Sequence, residues 1–236
     1  MKRTKGHFIV LEGLDGTGKS TQVRLLNEYY SSAGLPFHFI HFPRTDNESA
    51  VFGSMIASFL RGDYGPLEQV HPELVALIYA GDRYNAASEL KSLIESGVNI
   101  LCDRYVFSNI AFQCAKLHDQ NQREQLMQRI FHMEFSYFQI PEPDISVFLH
   151  VPIDFVQQQL NNQRTGSDRT YLHGKDDIHE QSMDFQKAVE QVYLETTRMM
   201  PDKLEYLNCI DASGNMMSPE QIHRMLKKLL QNKRLI

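Results

Sequence analysis

The chain has 236 residues, 42% of them hydrophobic, and a formal net charge of -5, which suits one α/β domain, or a domain with a small lid, around a sizeable core. An acidic chain without a long basic block argues against nucleic acid as a partner. The longest apolar runs are about five residues, far below the roughly 20 that span a bilayer. The polar, basic residues 1–6 hold no signal-peptide core, so we expect no membrane segment and a cytoplasmic protein.

Short apolar runs typical of buried strands alternate with longer stretches of helical periodicity. The predicted strands are 7–12, 37–41, 98–103, 145–151 and 204–210. The predicted helices cover about 18–32, 49–60, 72–96, 105–116, 121–138, 153–163, 177–199 and 218–231. This alternation predicts a five-stranded parallel sheet with helices on both faces. The loops after the strands then lie along one edge of the sheet, where ligands bind.

The chain shows no internal repeat and no low-complexity linker, so we predict a single domain over residues 1–236. Its most polar stretch lies between two helical patterns and predicts a short lid at about 161–180. The three cysteines, Cys102, Cys114 and Cys209, lie in apolar surroundings without metal-ligand spacing. They predict buried thiols in a reducing compartment.

The strongest motif directly follows the first predicted strand. Residues 13–20 read G-L-D-G-T-G-K-S and match the phosphate-binding P-loop, whose glycines let backbone amides turn towards phosphate oxygens. Lys19 brings positive charge to the outer phosphates, and the Ser20 hydroxyl suits the first shell of Mg²⁺. The alternative is a chance match in a glycine-rich turn, but the strand before the motif and the helix after it favour a phosphate site. We assign these residues to the nucleotide: Gly13, Leu14, Asp15, Gly16, Thr17, Gly18, Lys19, Ser20 and Thr21.

Two further groups fall at or near the ligand edge. Phe42 and Arg44 follow the second predicted strand, where an arginine can clamp a second phosphate; the alternative is a surface arginine after a turn. Tyr79 and Arg83 are four residues apart on a predicted helix and share a face. An aromatic ring beside a hydrogen-bonding fork suits a planar base, although spacing alone favours a buried tyrosine beside a solvated arginine.

Another group ends the third predicted strand. Asp103 lies where P-loop proteins hold the Mg²⁺ hydration shell, and the adjacent Arg104 can face a phosphate. In a helix that begins near residue 106, two pairs share faces: Asn109 with Gln113, and Ser108 with Phe112. An amide pair is suited to reading the edge of a base.

The predicted lid carries Arg164 and Arg169. Phosphoryl transfer requires positive charge at the migrating group and exclusion of water, which a closing lid with arginines supplies. The alternative is an ordinary flexible polar loop.

Together these residues resemble those of the thymidylate kinases, P-loop nucleoside-monophosphate kinases that phosphorylate dTMP. The resemblance covers nearly the whole chain. Residues 103–113 read D-R-Y-V-F-S-N-I-A-F-Q, close to the family signature D-R-[YH]-x-x-S-x-x-A-[YF]-x. Residues 79–83 resemble the family segment [FY]-x-A-x-R, with Gly81 in place of the usual alanine. The resemblance implies the three-layer α/β/α P-loop kinase fold with a short lid.

The resemblance also implies roles for the acceptor-side residues. Tyr79 stacks on thymine, Arg83 hydrogen-bonds to the base, and Asn109 or Gln113 reads the pyrimidine edge. Phe112 lies against the deoxyribose and leaves no room for a 2′-hydroxyl. Asp15 meets the 3′-hydroxyl or the metal shell, and Arg44 and Arg104 hold the acceptor phosphate. The full acceptor set is Asp15, Phe42, Arg44, Tyr79, Arg83, Arg104, Ser108, Asn109, Phe112 and Gln113, and the metal residues are Ser20 and Asp103.

Three features depart from the family pattern. Some members carry an arginine at the P-loop position that Gly16 occupies here, and this chain resembles the subgroup whose lid supplies that charge, through Arg164 or Arg169. The F-P-R sequence at residues 42–44 replaces the R-E-P of many bacterial members, which makes the role of Arg44 less direct. Residues 171–177 make the lid longer than a compact one needs.

The predicted reaction moves the γ-phosphoryl of Mg-ATP to dTMP, giving dTDP and ADP for dTTP synthesis. The predicted catalytic residues are Asp15, Lys19, Arg104, Arg164 and Arg169. The resemblance further implies a homodimer formed through helices that flank the sheet. The alternatives within the same class are a deoxynucleoside kinase or a kinase for another monophosphate. A GTP-binding switch is disfavoured, because Asn232-Lys233 is followed by Arg234-Leu235 and gives no guanine-reading N-K-x-D element.

Overall fold

The computed structural model describes residues 5–45, 51–153, 155–156, 177–179 and 182–236. Its centre is one sheet of five parallel strands in the order β2-β3-β1-β4-β5. The strands are β1 (Phe8–Glu12), β2 (Phe37–His41), β3 (Asn99–Asp103), β4 (Ile145–His150) and β5 (Leu204–Asn208). Every residue of β1 and β3 is buried, as expected for central strands covered on both faces.

Seven α-helices are described. They are α1 (Lys19–Ser32), α2 (Phe52–Leu60), α3 (Pro72–Glu95), α4 (Val106–Cys114), α5 (Gln120–Phe131), α6 (Met183–Met199) and α7 (Pro219–Asn232). Helix α1 packs with α7, while α4 packs with α3, α5 and α6. With the sheet between these groups, the fold is the predicted three-layer α/β/α arrangement.

Two predicted helices differ from the observed ones. The helix predicted at 121–138 stops being α-helical at Phe131 and continues as a π-helical turn, His132–Tyr137. The helix predicted at 177–199 begins only at Met183, because the Ser182 side chain caps its first turn by accepting from the Phe185 amide. Of the helix predicted at 153–163, the described residues 153, 155 and 156 are helical.

Strand register brings the candidate residues to one edge. Asp103, the last residue of β3, pairs with Leu11 of β1 and with His41 of β2. The chain leaves β1 into the P-loop, β2 into Phe42 and β3 into Arg104, so these three segments meet at the carboxyl end of the sheet, as the alternation of elements predicted.

The three cysteines are buried and free, as predicted. Across the residues described, none of the helices has the length and apolar character needed to cross a membrane.

Candidate active site

The P-loop connects β1 to α1 through backbone that favours glycine. Gly18, the N-cap of α1, has a φ of 85° in the left-handed region. At Gly13 a Cβ atom would lie 3.0 Å from both the Leu149 carbonyl oxygen and the Thr17 hydroxyl. Only glycine therefore allows both the turn at Gly18 and the close packing at Gly13. The loop directs the N-terminus of α1 towards the space above the loop.

Lys19 is the cation of this loop. Its side chain is buried, and Nζ donates to the Leu14 carbonyl oxygen at 2.7 Å. Burial lowers the pKa of Lys19, and repulsion from Arg104 lowers it further, while Asp103 and Asp15 oppose the shift. A bound polyphosphate would add the negative charge that favours the ammonium form.

A cavity of about 570 Å³ opens beside the loop. The P-loop, α1, the ends of β2 and β3, and helices α3 and α4 contribute to its walls. The structure brings most of the predicted site residues to this cavity: Asp15, Ser20, Phe42, Tyr79, Arg83, Asp103, Arg104, Ser108, Asn109, Phe112 and Gln113.

Arg104 lines the cavity and has an unusual backbone. Its φ is 66°, a left-handed conformation that costs a non-glycine residue about 1–3 kcal/mol. The guanidinium donates to Asp15 Oδ1 at 2.7 Å and to Ser108 Oγ at 3.3 Å, and its Cζ lies 5.4 Å from the centre of the Phe112 ring. Burial would lower the pKa of Arg104, but Asp15 raises it above its ordinary value. The side chain is a fixed positive charge at the cavity.

Asp103 supplies a carboxylate that suits a metal shell. Burial raises its pKa, but the neighbouring Lys19 and His41 outweigh burial, so that the pKa lies below its ordinary value. His41 Nδ1 is 3.5 Å from Oδ2, whereas Oδ1 is buried without a hydrogen-bond partner in the described part of the chain. Asp103 and Ser20 both line the cavity, and carboxylate and hydroxyl oxygens are the ligands that Mg²⁺ or its water shell prefers.

On the base side, Arg83 is almost completely buried. Its Nε donates to one carboxylate oxygen of Glu134, in the π-helical turn, and one of its terminal nitrogens donates to the other, both at 2.6 Å. Asn109 Nδ2 donates to the same carboxylate at 3.0 Å and to the Ala76 carbonyl oxygen at 3.1 Å. Arg83 is therefore not the solvated residue of the alternative reading, since it is held rigidly at the cavity wall beside Tyr79.

Two amide oxygens in this wall have unused hydrogen-bonding capacity. Asn109 Oδ1 and Gln113 Oε1 are buried, and neither has a hydrogen-bond partner among the described residues. Buried polar atoms normally have partners, so these two oxygens can accept from a bound ligand. The N3–H of thymine is a donor of the required kind.

Phe112 forms the wall next to this amide pair. His179 packs against it, with ring centroids 4.8 Å apart, and also contacts Phe59 and Phe185. Burial lowers the pKa of His179 well below its ordinary value, and Lys116 lowers it further. The neutral imidazole thus completes an aromatic wall.

Arg44 lies outside the described lining of the cavity, although its neighbours Pro43 and Thr45 belong to it. Its Nε donates to Asp82 Oδ1 at 2.9 Å, and its backbone amide donates to Oδ2 of the same carboxylate at 2.8 Å. Asp82 therefore fixes Arg44, and a contact between Arg44 and the acceptor phosphate stays a prediction.

Gly81, the departure from the family segment, has a packing explanation. A methyl group added at this position would overlap the ring of Phe52, the first residue of α2. The glycine lets α2 approach α3 closely.

Sequence reasoning missed the acidic partners of the arginines, namely Asp82 and Glu134, as well as Glu12 and His179. Glu12 gave a usable signal, because it is an acidic residue at the end of an apolar strand. The others are polar residues in ordinary helical or loop sequence, where nothing marks them as buried. Arg164, Arg169 and most of the predicted lid lie outside the described residues.

A family model for thymidylate kinase matches residues 11–225. The chain belongs to the thymidylate kinase family. It is therefore an enzyme, an ATP-dependent kinase that phosphorylates dTMP to dTDP, the known reaction of this family.

Similar proteins agree with this family. A probable thymidylate kinase from Pyrococcus abyssi is 29% identical over 233 residues, covering 97% of each chain. A thymidylate kinase from Danio rerio is 27% identical over 235 residues, covering 98% of this chain and 93% of its own. A solved thymidylate kinase from Candida albicans superposes with a TM-score of 0.71 over 98% of this chain and 93% of its own, at 24% identity. The last comparison supports the fold.

Proposed function

We propose that the cavity beside the P-loop is the dTMP site of this kinase and that ATP lies with its phosphates over residues 13–21. One observation carries the assignment: Arg104 and Asp103 line the same cavity as Asn109 and Gln113, whose amide oxygens have no hydrogen-bond partner among the described residues. The first two suit the phosphate end of a nucleotide and its metal, and the last two suit the base end.

For this phosphoryl transfer the protein has to position the two substrates and supply positive charge at their phosphates. The 5′-phosphate of dTMP is already an anionic nucleophile, so no strong general base is required. Lys19 holds the outer phosphates of ATP, and Arg104 holds the acceptor phosphate in line with them. Asp15 orients Arg104 through their 2.7 Å hydrogen bond and lies at the cavity, where it can meet the 3′-hydroxyl of the deoxyribose.

On the base side, Tyr79 stacks on thymine and Asn109 or Gln113 accepts from its N3–H. Arg83 faces the carbonyl edge while Glu134 holds its guanidinium in place. Phe42 borders the same space. Phe112 lies against the deoxyribose, and Ser108 supports Arg104.

Mg²⁺ is the cofactor we propose; the Ser20 hydroxyl and, through water, the Asp103 carboxylate would hold it. When bound, the ion neutralises negative charge on the phosphate oxygens. The partnerless Oδ1 of Asp103 supports this assignment.

The remaining catalytic charge we assign to the predicted lid. Because Gly16 carries no charge, Arg164 or Arg169 would neutralise the migrating phosphoryl group. Replacing the correct arginine with alanine is expected to lower kcat by about 10³-fold or more, with a modest change in KM. If both single variants keep the wild-type kcat, the lid does not supply this charge.

A homodimer stays a prediction from the family resemblance, and a cytoplasmic location stays a prediction from the sequence. Leu74 and Leu77 of α3 and Tyr137 of the π-helical turn are exposed apolar residues on neighbouring elements, and they support an interface there. Light scattering after gel filtration would give the mass of the assembly.

An ADP-release assay tests the acceptor assignment. The purified chain, with ATP and Mg²⁺, would be offered dTMP, dUMP, AMP, CMP and thymidine in turn. We expect dTMP to have the highest kcat/KM and thymidine to give no turnover, since the proposed site holds a phosphate. Turnover of another acceptor without turnover of dTMP would overturn the proposal.

A further inference from the structure

Glu12, the last residue of β1, is a fully buried carboxylate for which the chemistry above has no role. Its side chain is 0% exposed and, unlike the buried Arg83 and Asn109, it lies outside the described lining of the cavity, so it does not touch a substrate there. It accepts three hydrogen bonds, from the Tyr105 amide at 3.0 Å, the Ser108 hydroxyl at 2.5 Å and the Tyr193 hydroxyl at 3.2 Å. Burial raises the pKa of Glu12, and Ser108 and Arg104 oppose that shift. Burying a carboxyl group costs free energy, and the hydrogen bonds from these partners offset that cost.

The first two partners of Glu12 border Arg104. The Arg104 amide donates to the Leu11 carbonyl oxygen at 2.9 Å, and the next amide, that of Tyr105, donates to Glu12. Consecutive amides are thus held by consecutive residues of β1 where the Arg104 backbone takes its left-handed conformation. Helix α4 begins directly afterwards and has no side-chain cap from its own N-cap residue. Glu12 instead accepts a hydrogen bond from the amide of that N-cap residue, Tyr105.

Glu12 also reaches the Arg104 guanidinium through one hydroxyl. Ser108 Oγ donates to Glu12 and accepts from Arg104 at 3.3 Å. On its other side the guanidinium donates to Asp15. The Ser108 hydroxyl, which also hydrogen-bonds to the Tyr193 hydroxyl at 2.8 Å, therefore connects Glu12 to one of the hydrogen bonds that hold the guanidinium.

We propose that Glu12 is a positioning residue for phosphoryl transfer: by holding the Tyr105 amide and the Ser108 hydroxyl, it keeps the Arg104 guanidinium aimed at the acceptor phosphate. The inference rests on the proposed role of Arg104. Charge that is already in place when the transition state forms contributes most to the rate, and a misplacement of about 1 Å can cost about 100-fold.

The first test is the isosteric substitution Glu12→Gln, with steady-state kinetics for both substrates. We expect kcat to fall by about 100-fold, while KM for ATP stays within about threefold, because Lys19 and the P-loop keep their own contacts. The matched control is Glu190→Gln. Glu190 binds His150 Nε2 at 2.7 Å and does not touch Arg104, so its loss should leave kcat within about twofold. An unchanged kcat in Glu12→Gln would overturn the proposal.

A double-mutant cycle separates positioning from a merely structural contribution. If Glu12 acts through Arg104, adding Glu12→Gln to Arg104→Ala should lower kcat by less than about threefold further. If Glu12 only stabilises the fold, the two losses should multiply, and that result would contradict the proposal. A wild-type kcat in Arg104→Ala alone would instead overturn the role of Arg104, whereas impaired Arg104→Ala beside normal Glu12→Gln would overturn only the role of Glu12.

A second substitution covers the case in which Glu12→Gln does not fold. Ser108→Ala removes the hydroxyl between the two side chains and keeps the Glu12 contact with the Tyr105 amide. The same cycle with Arg104→Ala is expected to show the same non-multiplicative loss, and multiplicative losses would again overturn the proposal.

Discussion

The Arg83 guanidinium and the Glu134 carboxylate form two parallel hydrogen bonds of 2.6 Å each, with both side chains at most 2% exposed. Asn109 of α4 donates to the same carboxylate. One buried glutamate thus connects α3, α4 and the π-helical turn behind the proposed thymine site, and it holds Arg83 and Asn109, which we propose to read the base, without any bound substrate.

Breaking this pair should be far more costly than breaking a surface pair. We expect Glu134→Gln to lower the free energy of unfolding by about 3–5 kcal/mol, because Arg83 is left buried without a counter-charge, and to raise KM for dTMP. Urea unfolding measures the first effect. The control, Glu142→Gln, removes an exposed pair with Lys203 and should cost at most about 1 kcal/mol. Similar losses in the two variants would show that the Arg83 pair is solvated.

The amide oxygens of Asn109 and Gln113, which have no hydrogen-bond partner among the described residues, predict how the base is read. For the wild-type chain, we expect the N3-methyl analogue of dTMP to bind more weakly than dTMP in calorimetric titrations. Replacing the amide that accepts from N3–H, by Asn109→Ala or Gln113→Ala, should weaken dTMP binding by about 3–10-fold, the worth of one neutral hydrogen bond. The same variant should lose most of the preference for dTMP over the analogue. If the preference survives in both variants, neither amide reads N3.

Phe112 should set the choice of sugar. Phe112→Ala removes the ring beside the proposed deoxyribose position and opens room for a 2′-hydroxyl. We expect the ratio of kcat/KM for the ribonucleotide, 5-methyl-UMP, to that for dTMP to rise about tenfold or more. The ratio is internally controlled, since a general loss of activity cancels from it. An unchanged ratio would place the sugar elsewhere.

The dependence of turnover on Mg²⁺ should change when Asp103 is substituted. We expect chelation with EDTA to abolish turnover and excess Mg²⁺ to restore it. Asp103→Asn should raise the Mg²⁺ concentration for half-maximal activity by about tenfold or more, because it removes the negative charge of the carboxylate. Asp184→Asn, at an exposed carboxylate in the first turn of α6, should leave the Mg²⁺ dependence unchanged. An equal response of the two variants would remove Asp103 from the metal site.

Lys116 predicts a pH dependence of stability. Its Nζ lies 4.7 Å from the Phe59 ring centre without a hydrogen-bond partner in the described part of the chain, and burial lowers its pKa from 10.5 to about 7. Between these two values the unfolded chain holds a proton that the folded chain has released, so stability should rise with pH.

Lys116→Met should therefore stabilise the fold most at pH 6.5, by an amount on the order of a few kcal/mol. The gain should shrink as the pH rises towards 10.5. Denaturant unfolding at pH 6.5 and 9.5 measures it, and the exposed Lys91→Met on α3 should show no such trend. A gain that does not depend on pH would mean that Lys116 is charged in the folded protein.

The fold could be predicted because its signals are local. Central strands of a parallel sheet are apolar on both faces, and this marks β1, β3 and β4 in the sequence. The P-loop is recognisable from its glycines, whose positive φ angles few other residues tolerate. The helix predicted at 177–199 was wrong at its start, because the Ser182 cap decides where α6 begins.

The sequence by itself therefore determined the α/β alternation, the phosphate loop and the set of residues at one sheet edge, since all of these follow from short-range pattern and strand direction. Only the tertiary structure decided which side chains hold the arginines of the site. Arg44 and Arg83 are each held by a buried carboxylate, Asp82 and Glu134 respectively, and the Ser108 hydroxyl lies between Arg104 and Glu12. The hydrogen-bonded partners are 38, 51 and 96 residues apart in the sequence. Sequence periodicity cannot predict such pairs, because only tertiary packing brings the partners together.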